Sequence, residues 1–355
     1  MTASGPCKPS GVVDVVALGE SMVTFLPTRP GRLADVPSFE RAIGGAESNV
    51  ACMLAAAGHS VRWISRVGAD GFGDHLVEAI GSYGVDVSGV HRDADRPTGV
   101  YFRTAGDRGT DAHEVAYYRA GSAASAMSVS TVDLAAARSA RVLHLSGITA
   151  ALSDDCRDLM RALTAPGADR PLISFDVNHR PGLCRTPEDA RVLLELARRA
   201  DIVFVGADEA SDAWGLRSTA AIVDALPEPA LVIVKLGKGG AIAFDKNTDG
   251  MEDADGTATL VRPPRVDVVA TTGAGDAFAA GFLSATLRGV PLRSRLRHGH
   301  LWAAAALTTP GDLTAPPSRA HADRLADVDD GTWGTLRLGP GWTQAEQAEE
   351  EVPAP

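Results

Sequence analysis

Cysteine is scarce and unpatterned in this chain of 355 residues: Cys7, Cys52, Cys156 and Cys184 lie far apart, with no CxxC pair and no histidine at metal-ligand spacing. A disulfide framework and a zinc site are thereby excluded, and the four read as free thiols in a reducing, cytoplasmic compartment. Basic charge is also in deficit, with 34 Lys and Arg against 45 Asp and Glu and a net charge of -11. That balance argues against a nucleic-acid or anionic-membrane surface, although an acidic protein still has room for a local basic pocket for a small anion. No long apolar run marks a secretory or membrane segment; the first one, 12–18, is short and broken by Asp14. Several chemistries fail on missing motifs. There is no GxxxxGK[ST] run, the Gly19-Glu20-Ser21 that follows the first strand lacks GxGxxG, and both HExxH and GxSxG are absent.

What is present is alternation. With 45% hydrophobic and 22% charged residues the chain can bury a full core. Short β-rich runs at 12–18, 61–66, 142–145, 172–176, 202–205 and 231–236 alternate with helical patterns at 47–57, 74–82, 156–163, 187–199, 275–288 and 292–307. This predicts an α/β fold with a doubly wound, mostly parallel sheet. Residues 99–104 and 114–119 flank a polar loop at 105–113 and break the rhythm as an inserted antiparallel hairpin, a natural lid. Residues 1–12 and the acidic, Pro-ended 341–355 are expected to be disordered around one domain over 13–340, with the lid drawn from about 26–45 and 98–120.

Five stretches carry candidate chemistry. In Thr271-Thr272-Gly273-Ala274-Gly275-Asp276, small residues let backbone N–H groups converge at the start of an apolar helix, an anion cradle. A carboxylate at its mouth does not bind phosphate; Asp276 would orient or deprotonate a hydroxyl attacking it. The same six residues also fit a Gly-rich turn with an acid placed to suit the helix dipole. Lys235-Leu236-Gly237-Lys238-Gly239-Gly240 reads as a hairpin turn or, beside that loop, as a nucleotide wall. Gly44-Gly45-Ala46-Glu47-Ser48-Asn49 is either a helix N-cap or a place where a ligand approaches backbone and Asn49 meets its hydroxyls. On the hairpin, Tyr101 and Arg103 share one face, as do Tyr117 and Arg119. Asp176-Val177-Asn178-His179-Arg180 ends a strand where open α/β sheets put ligands; Arg180 alone would also fit a surface ion pair.

Together these stretches resemble the ribokinase-like (PfkB) carbohydrate kinases over roughly residues 13–338. The late signature Thr271–Asp276 with Ala277-Phe278 and Gly281-Phe282 carries the resemblance, as do Gly44-Gly45-Ala46 with Asn49, Gly58 and Gly68-Ala69-Asp70-Gly71-Phe72-Gly73. The resemblance implies an ATP-dependent kinase, magnesium travelling with ATP, in which Asp276 activates a sugar hydroxyl. Gly273, Ala274 and Gly275 would form the oxyanion hole, and Lys235, Gly237, Gly240 and Thr272 would line the nucleotide. Tyr117-Tyr118-Arg119-Ala120-Gly121-Ser122, His144-Leu145-Ser146-Gly147-Ile148 and Asp176–Pro181 look most like 2-keto-3-deoxygluconate kinases. Carried over, Tyr101, Tyr117, Arg119 and Arg180 line an acidic sugar, with Gly45 and Asn49 beneath it. Arginine forks match carboxylates and gain little from a neutral hydroxyl.

Three positions depart from the family pattern. Ala270 stands where the late signature usually begins with Asp, Cys184 where the subgroup often has Trp, and the Asn-x-x-Glu motif reads Gly206-Ala207-Asp208-Glu209, leaving Glu209 as an indirect metal contact. Three readings follow: a sugar-acid kinase, a kinase for a neutral sugar such as fructose, and a kinase-like binding protein without turnover. The sugar, the hydroxyl phosphorylated and any homo-oligomer stay open.

Overall fold

The computed structural model describes residues 11–104, 114–167, 170–246 and 258–344. Thirteen strands carry the architecture: β1 (Val13–Leu18), β2 (Met22–Pro27), β3 (Phe39–Gly44), β4 (Val61–Gly68), β5 (Asp86–Asp93), β6 (Val100–Arg103), β7 (Val115–Tyr118), β8 (Ala140–Ser146), β9 (Leu172–Asp176), β10 (Ile202–Gly206), β11 (Leu231–Lys235), β12 (Ala241–Asp245) and β13 (Ala258–Val261). Nine form one sheet in the order β13-β12-β11-β10-β9-β8-β1-β4-β5. From β11 to β5 every pairing is parallel, while β12 and β13 add an antiparallel edge. The α/β, mostly parallel arrangement read from the alternation is therefore the observed one.

Burial explains why these strands read as continuous apolar runs. In β1, Val15 and Ala17 pack on one face of the sheet and Val16 and Leu18 on the other, and all four are fully buried. A parallel sheet covered by helices on both faces leaves no polar side. One cover includes helices Ala46–Ala56, Ala274–Leu287 and Leu292–Leu307; the other includes Asp154–Leu163 and Pro187–Arg198. The last two helices of the first cover approach closely because they are notched: a Cβ on Gly281 would fall 2.6 Å from the His298 carbonyl, and one on Gly299 would fall 2.8 Å from the Phe278 ring. No helix among the described residues is long and apolar enough to cross a membrane.

A second sheet, β3-β2-β6-β7, is inserted between the strands of the first. Its β6–β7 pair is the antiparallel hairpin expected from the sequence, with Tyr101 opposite Tyr117. The expected loop at 105–113 lies outside the described residues. So do 1–10 and 345–355 of the two expected disordered ends, whereas Trp342 is buried with its ring 5.6 Å from that of His321. β1 has β4 on one side and β8 on the other, which makes the β1/β8 boundary the place where the strand order reverses. Crevices outside the carboxyl ends of strands at such a point are where open α/β sheets hold ligands.

Candidate active site

Such a crevice is present. A cavity of about 780 Å³ lies between the strand ends and the small sheet. Of the residues singled out from the sequence, Gly45, Asn49, Tyr101, Tyr117, Arg119, Arg180, Glu209, Lys235, Thr272, Gly273, Gly275 and Asp276 line it, whereas Ala274, Gly237 and Gly240 do not. Residues 236–240 form the turn of the β11–β12 hairpin, where Gly240 (φ 105°) packs so closely that a Cβ would lie 2.2 Å from the Val261 carbonyl.

Its floor is the start of the Ala274–Leu287 helix. Gly273, at φ 77°, is the N-cap, in a left-handed conformation that favours glycine. The first intrahelical bond runs from Ala277 N to Gly273 O at 2.9 Å. The N–H groups before it have no partner within the helix, and the helix dipole adds positive potential there. Asp276 sits in that first turn, and Asn49 Nδ2 donates a hydrogen bond to its Oδ2 at 2.8 Å. It is partly open to the cavity but otherwise ringed by protein. Burial and the nearby Asp176 carboxylate raise its pKa to about 7, against the opposing pull of Asn49, Arg180 and Lys235. A carboxylate poised there can exchange a proton near neutral pH.

Lys235, at the end of β11, reaches toward the same floor: its Nζ is 3.7 Å from where a Cβ on Gly275 would sit. Nζ also lies 3.0 Å from both oxygens of Asp176. Burial works against its ammonium, but the carboxylates of Asp176, Glu209 and Asp276 outweigh it and raise the pKa. Glu209 Oε2 accepts from Gly206 N at 2.9 Å, capping the Ala207–Trp214 helix, and Oε1 lies 3.9 Å from Arg180 Nη1. No group of three or more His, Cys, Asp or Glu able to hold a metal ion occurs among the described residues. A divalent ion in this cavity would take most of its ligands from phosphate oxygens and water, as magnesium commonly does.

The acceptor side divides its arginines unequally. Arg119 is 10% exposed and ion-paired with Glu20, which also accepts from Ser122 Oγ at 2.6 Å. Arg180 is 49% exposed, with its nearest carboxylate at 3.9 Å. Tyr101 and Tyr117 stack at 5.5 Å between ring centroids, and the Arg119 guanidinium lies 5.9 Å from the Tyr117 ring. Sequence reasoning gave no role to four lining or flanking residues: Glu20, Arg103, Asn178 and Asp312. Arg103 Nη2 donates to Asp312 Oδ1 at 2.7 Å, and the Tyr101 hydroxyl donates to Oδ2 of the same carboxylate. Asn178 is buried at φ 42°, the one non-glycine residue with positive φ among those described. Asn tolerates that conformation better than most residues, which was the available signal. Asp312 follows Pro310-Gly311 in an ordinary turn sequence and carried none.

A helix N-terminus with an acid in its first turn, set where the strand order of an α/β sheet reverses, suits phosphoryl transfer. Residues 13–319 match the pfkB family of carbohydrate kinases, and the chain belongs to that family. It is 35% identical to a 2-dehydro-3-deoxygluconokinase of Bacillus subtilis (strain 168) over 318 residues, 86% of this chain and 93% of that protein; 2-dehydro-3-deoxygluconate is another name for 2-keto-3-deoxygluconate. It is also 32% identical to fructokinase-2 of Zea mays over 88% of this chain and 93% of that one. A sugar kinase of Pyrococcus horikoshii, solved in complex with ATP, superposes with a TM-score of 0.74 at 25% identity, covering 90% of this chain and 99% of that one.

Proposed function

We propose that this kinase transfers the γ-phosphoryl group of ATP to a hydroxyl of a sugar acid, 2-keto-3-deoxygluconate giving its 6-phosphate. The observation that carries this reading is the Asn49-held carboxylate of Asp276 at the open N-terminus of a helix, facing a wall that presents Tyr117 and the half-exposed guanidinium of Arg180, which gives one hydrogen bond to the His179 carbonyl at 3.1 Å and has no close carboxylate among the described residues. Asp276 orients the acceptor hydroxyl and takes its proton as the new O–P bond forms and the bond to ADP breaks. The N–H groups of Gly273 and Gly275 face the charge on the transferring group, Ala274 lying off the cavity, and Lys235 stands beside them. Magnesium, arriving with ATP, would neutralise charge on the phosphates, and Glu209 would meet its water shell. Thr272 and the Lys235 side of the cavity accommodate the nucleotide.

Arg180 selects the carboxylate, since a charged acceptor gains a charge-assisted bond that a hydroxyl does not. A neutral sugar such as fructose is the second reading. It is favoured by the Arg119–Glu20 pair, which already satisfies one of the two guanidiniums. A binding protein without turnover fits poorly with an acid held by Asn49 and raised to about 7. A coupled ATP-consumption screen over ketoaldonic acids, neutral hexoses, pentoses and nucleosides tests all three: turnover confined to ketoaldonic acids is expected, fructose turnover would replace the leading reading, and no turnover on any acceptor would reject both.

A further inference from the structure

Asp312 lies in the turn after the Leu292–Leu307 helix and faces two ways. Its buried carboxylate receives Arg103 Nη2 at 2.7 Å and the Tyr101 hydroxyl, both from β6 of the small sheet. Its main chain packs on the anion loop, because a Cβ on Gly273 would lie 2.1 Å from the Asp312 carbonyl oxygen. A third element meets it as well: a Cβ on Gly44, at the end of β3, would fall 2.8 Å from Asp312 Oδ2. The side chains of Arg103 and Asp312 are 6% and 4% exposed. A pair this buried resists separation, because pulling one member away strands the other charge out of water. Tyr101 lines the acceptor side of the cavity and Gly273 its floor, so a single residue joins the two half-sites.

We infer that Arg103 and Asp312 are a positioning pair that ties the seating of the acceptor under the small sheet to the geometry of the anion loop. This rests on the kinase reading above. Arg103 acts through Asp312: when the small sheet settles on a sugar, Arg103 and Tyr101 fix the Asp312 carboxylate, and the Asp312 main chain fixes the Gly273 turn that faces the phosphates. Sugar and nucleotide then bind with positive coupling, and linkage makes the effect reciprocal.

The test is calorimetric titration of the full chain with magnesium and AMP-PNP, with and without saturating 2-keto-3-deoxygluconate, in wild type, Arg103→Met and Arg103→Lys. Wild type should bind AMP-PNP about 5-fold or more tightly with sugar present, the lower end of ordinary coupling. In Arg103→Met that ratio should fall toward one while affinity for AMP-PNP alone stays within about 2-fold, since no ground-state phosphate contact is lost. Arg103→Lys, which keeps the charge and a donor, should retain part of the coupling and carries the test if the Met variant does not fold. In turnover, Arg103→Met should lower kcat about 10-fold or more with a smaller change in the sugar KM, the pattern of an interaction felt in the transition state. An unchanged coupling ratio in both variants, or a loss confined to sugar KM, would overturn the inference. If wild type ignores 2-keto-3-deoxygluconate but responds to fructose, the substrate assignment fails and fructose carries the same comparison; wild type without coupling to either sugar overturns the pair's role itself.

Discussion

Replacing Asp276 by Asn should make the protein a worse enzyme and a more stable fold, and the stability gain should depend on pH. Moving a carboxyl from its ordinary 3.8 to about 7 sets roughly 4 kcal/mol against the charged form. The folded state therefore binds a proton that the unfolded chain has released, and stability falls as pH rises from about 4 to about 7 by roughly 1.4 kcal/mol for each pH unit. Above 7 the full cost is present; below 4 it is gone. The side-chain amide introduced by Asp276→Asn would still accept from Asn49 and carries no charge to bury. Relative to wild type, Asp276→Asn should gain little at pH 4.5 and up to roughly 3–4 kcal/mol at pH 8. Thermal midpoints measured for both proteins across that range would show two curves that diverge as pH rises. Turnover of the variant should drop by at least about 10²-fold, the usual range for a lost general base. For wild type, kcat/KM should rise with pH through about 7 as the base ionises. Parallel stability curves, or near-normal kcat in the variant, would refute the reasoning.

The remaining expectations follow from individual contacts. Arg180→Met should raise KM for the sugar acid by tens-fold, about 2–3 kcal/mol for a lost charge-assisted bond, and leave any neutral sugar little affected; equal losses for both would show that Arg180 does not read the carboxylate. Arg119→Met strands the buried Glu20 charge and should cost about 3–5 kcal/mol of stability, measurable by denaturant unfolding, while a double change with Glu20→Gln recovers much of it. Gly273→Ala puts a Cβ 2.1 Å from the Asp312 carbonyl at φ 77°, so kcat should collapse in steady-state assays although the variant still folds. At Ala270 a methyl group offers no ligand to a hard cation, and activity should be nearly equal in potassium, sodium and bulky organic-cation buffers of matched ionic strength; saturable potassium activation would contradict this.

The elements legible in the sequence were those buried on both faces. β1, β8, β9, β10 and β11 are apolar along most of their length and stand out against polar connections, and the long helices carry their own periodicity. β5 escaped notice because it is a half-exposed edge whose sequence, DVSGVHRD, has neither an apolar run nor clean alternation. β3, FERAIG, hides in the same way, since its first four residues stay partly open to solvent. The helix start at Gly273 was readable from its glycine spacing, whereas the bond from Asn49 to Asp276, 227 residues apart, appears only when the fold brings the two stretches together. The division of labour between Arg119 and Arg180 was not readable: strand alternation put Arg119 on the correct face, but its partner Glu20 lies about a hundred residues earlier and meets it only through the fold. Asp312 was invisible for the same reason, its two β6 partners being more than two hundred residues away in sequence.

If this cavity phosphorylates a sugar acid and recognises it by its carboxylate, the preference is readable in a single ratio. The most direct measurement is the ratio of kcat/KM for 2-keto-3-deoxygluconate to that for fructose, determined with wild type and Arg180→Met under identical nucleotide and salt. One charge-assisted bond predicts a wild-type preference for the acid of about 10-fold to 150-fold, falling toward one in the variant. A wild-type ratio at or below one would contradict the account.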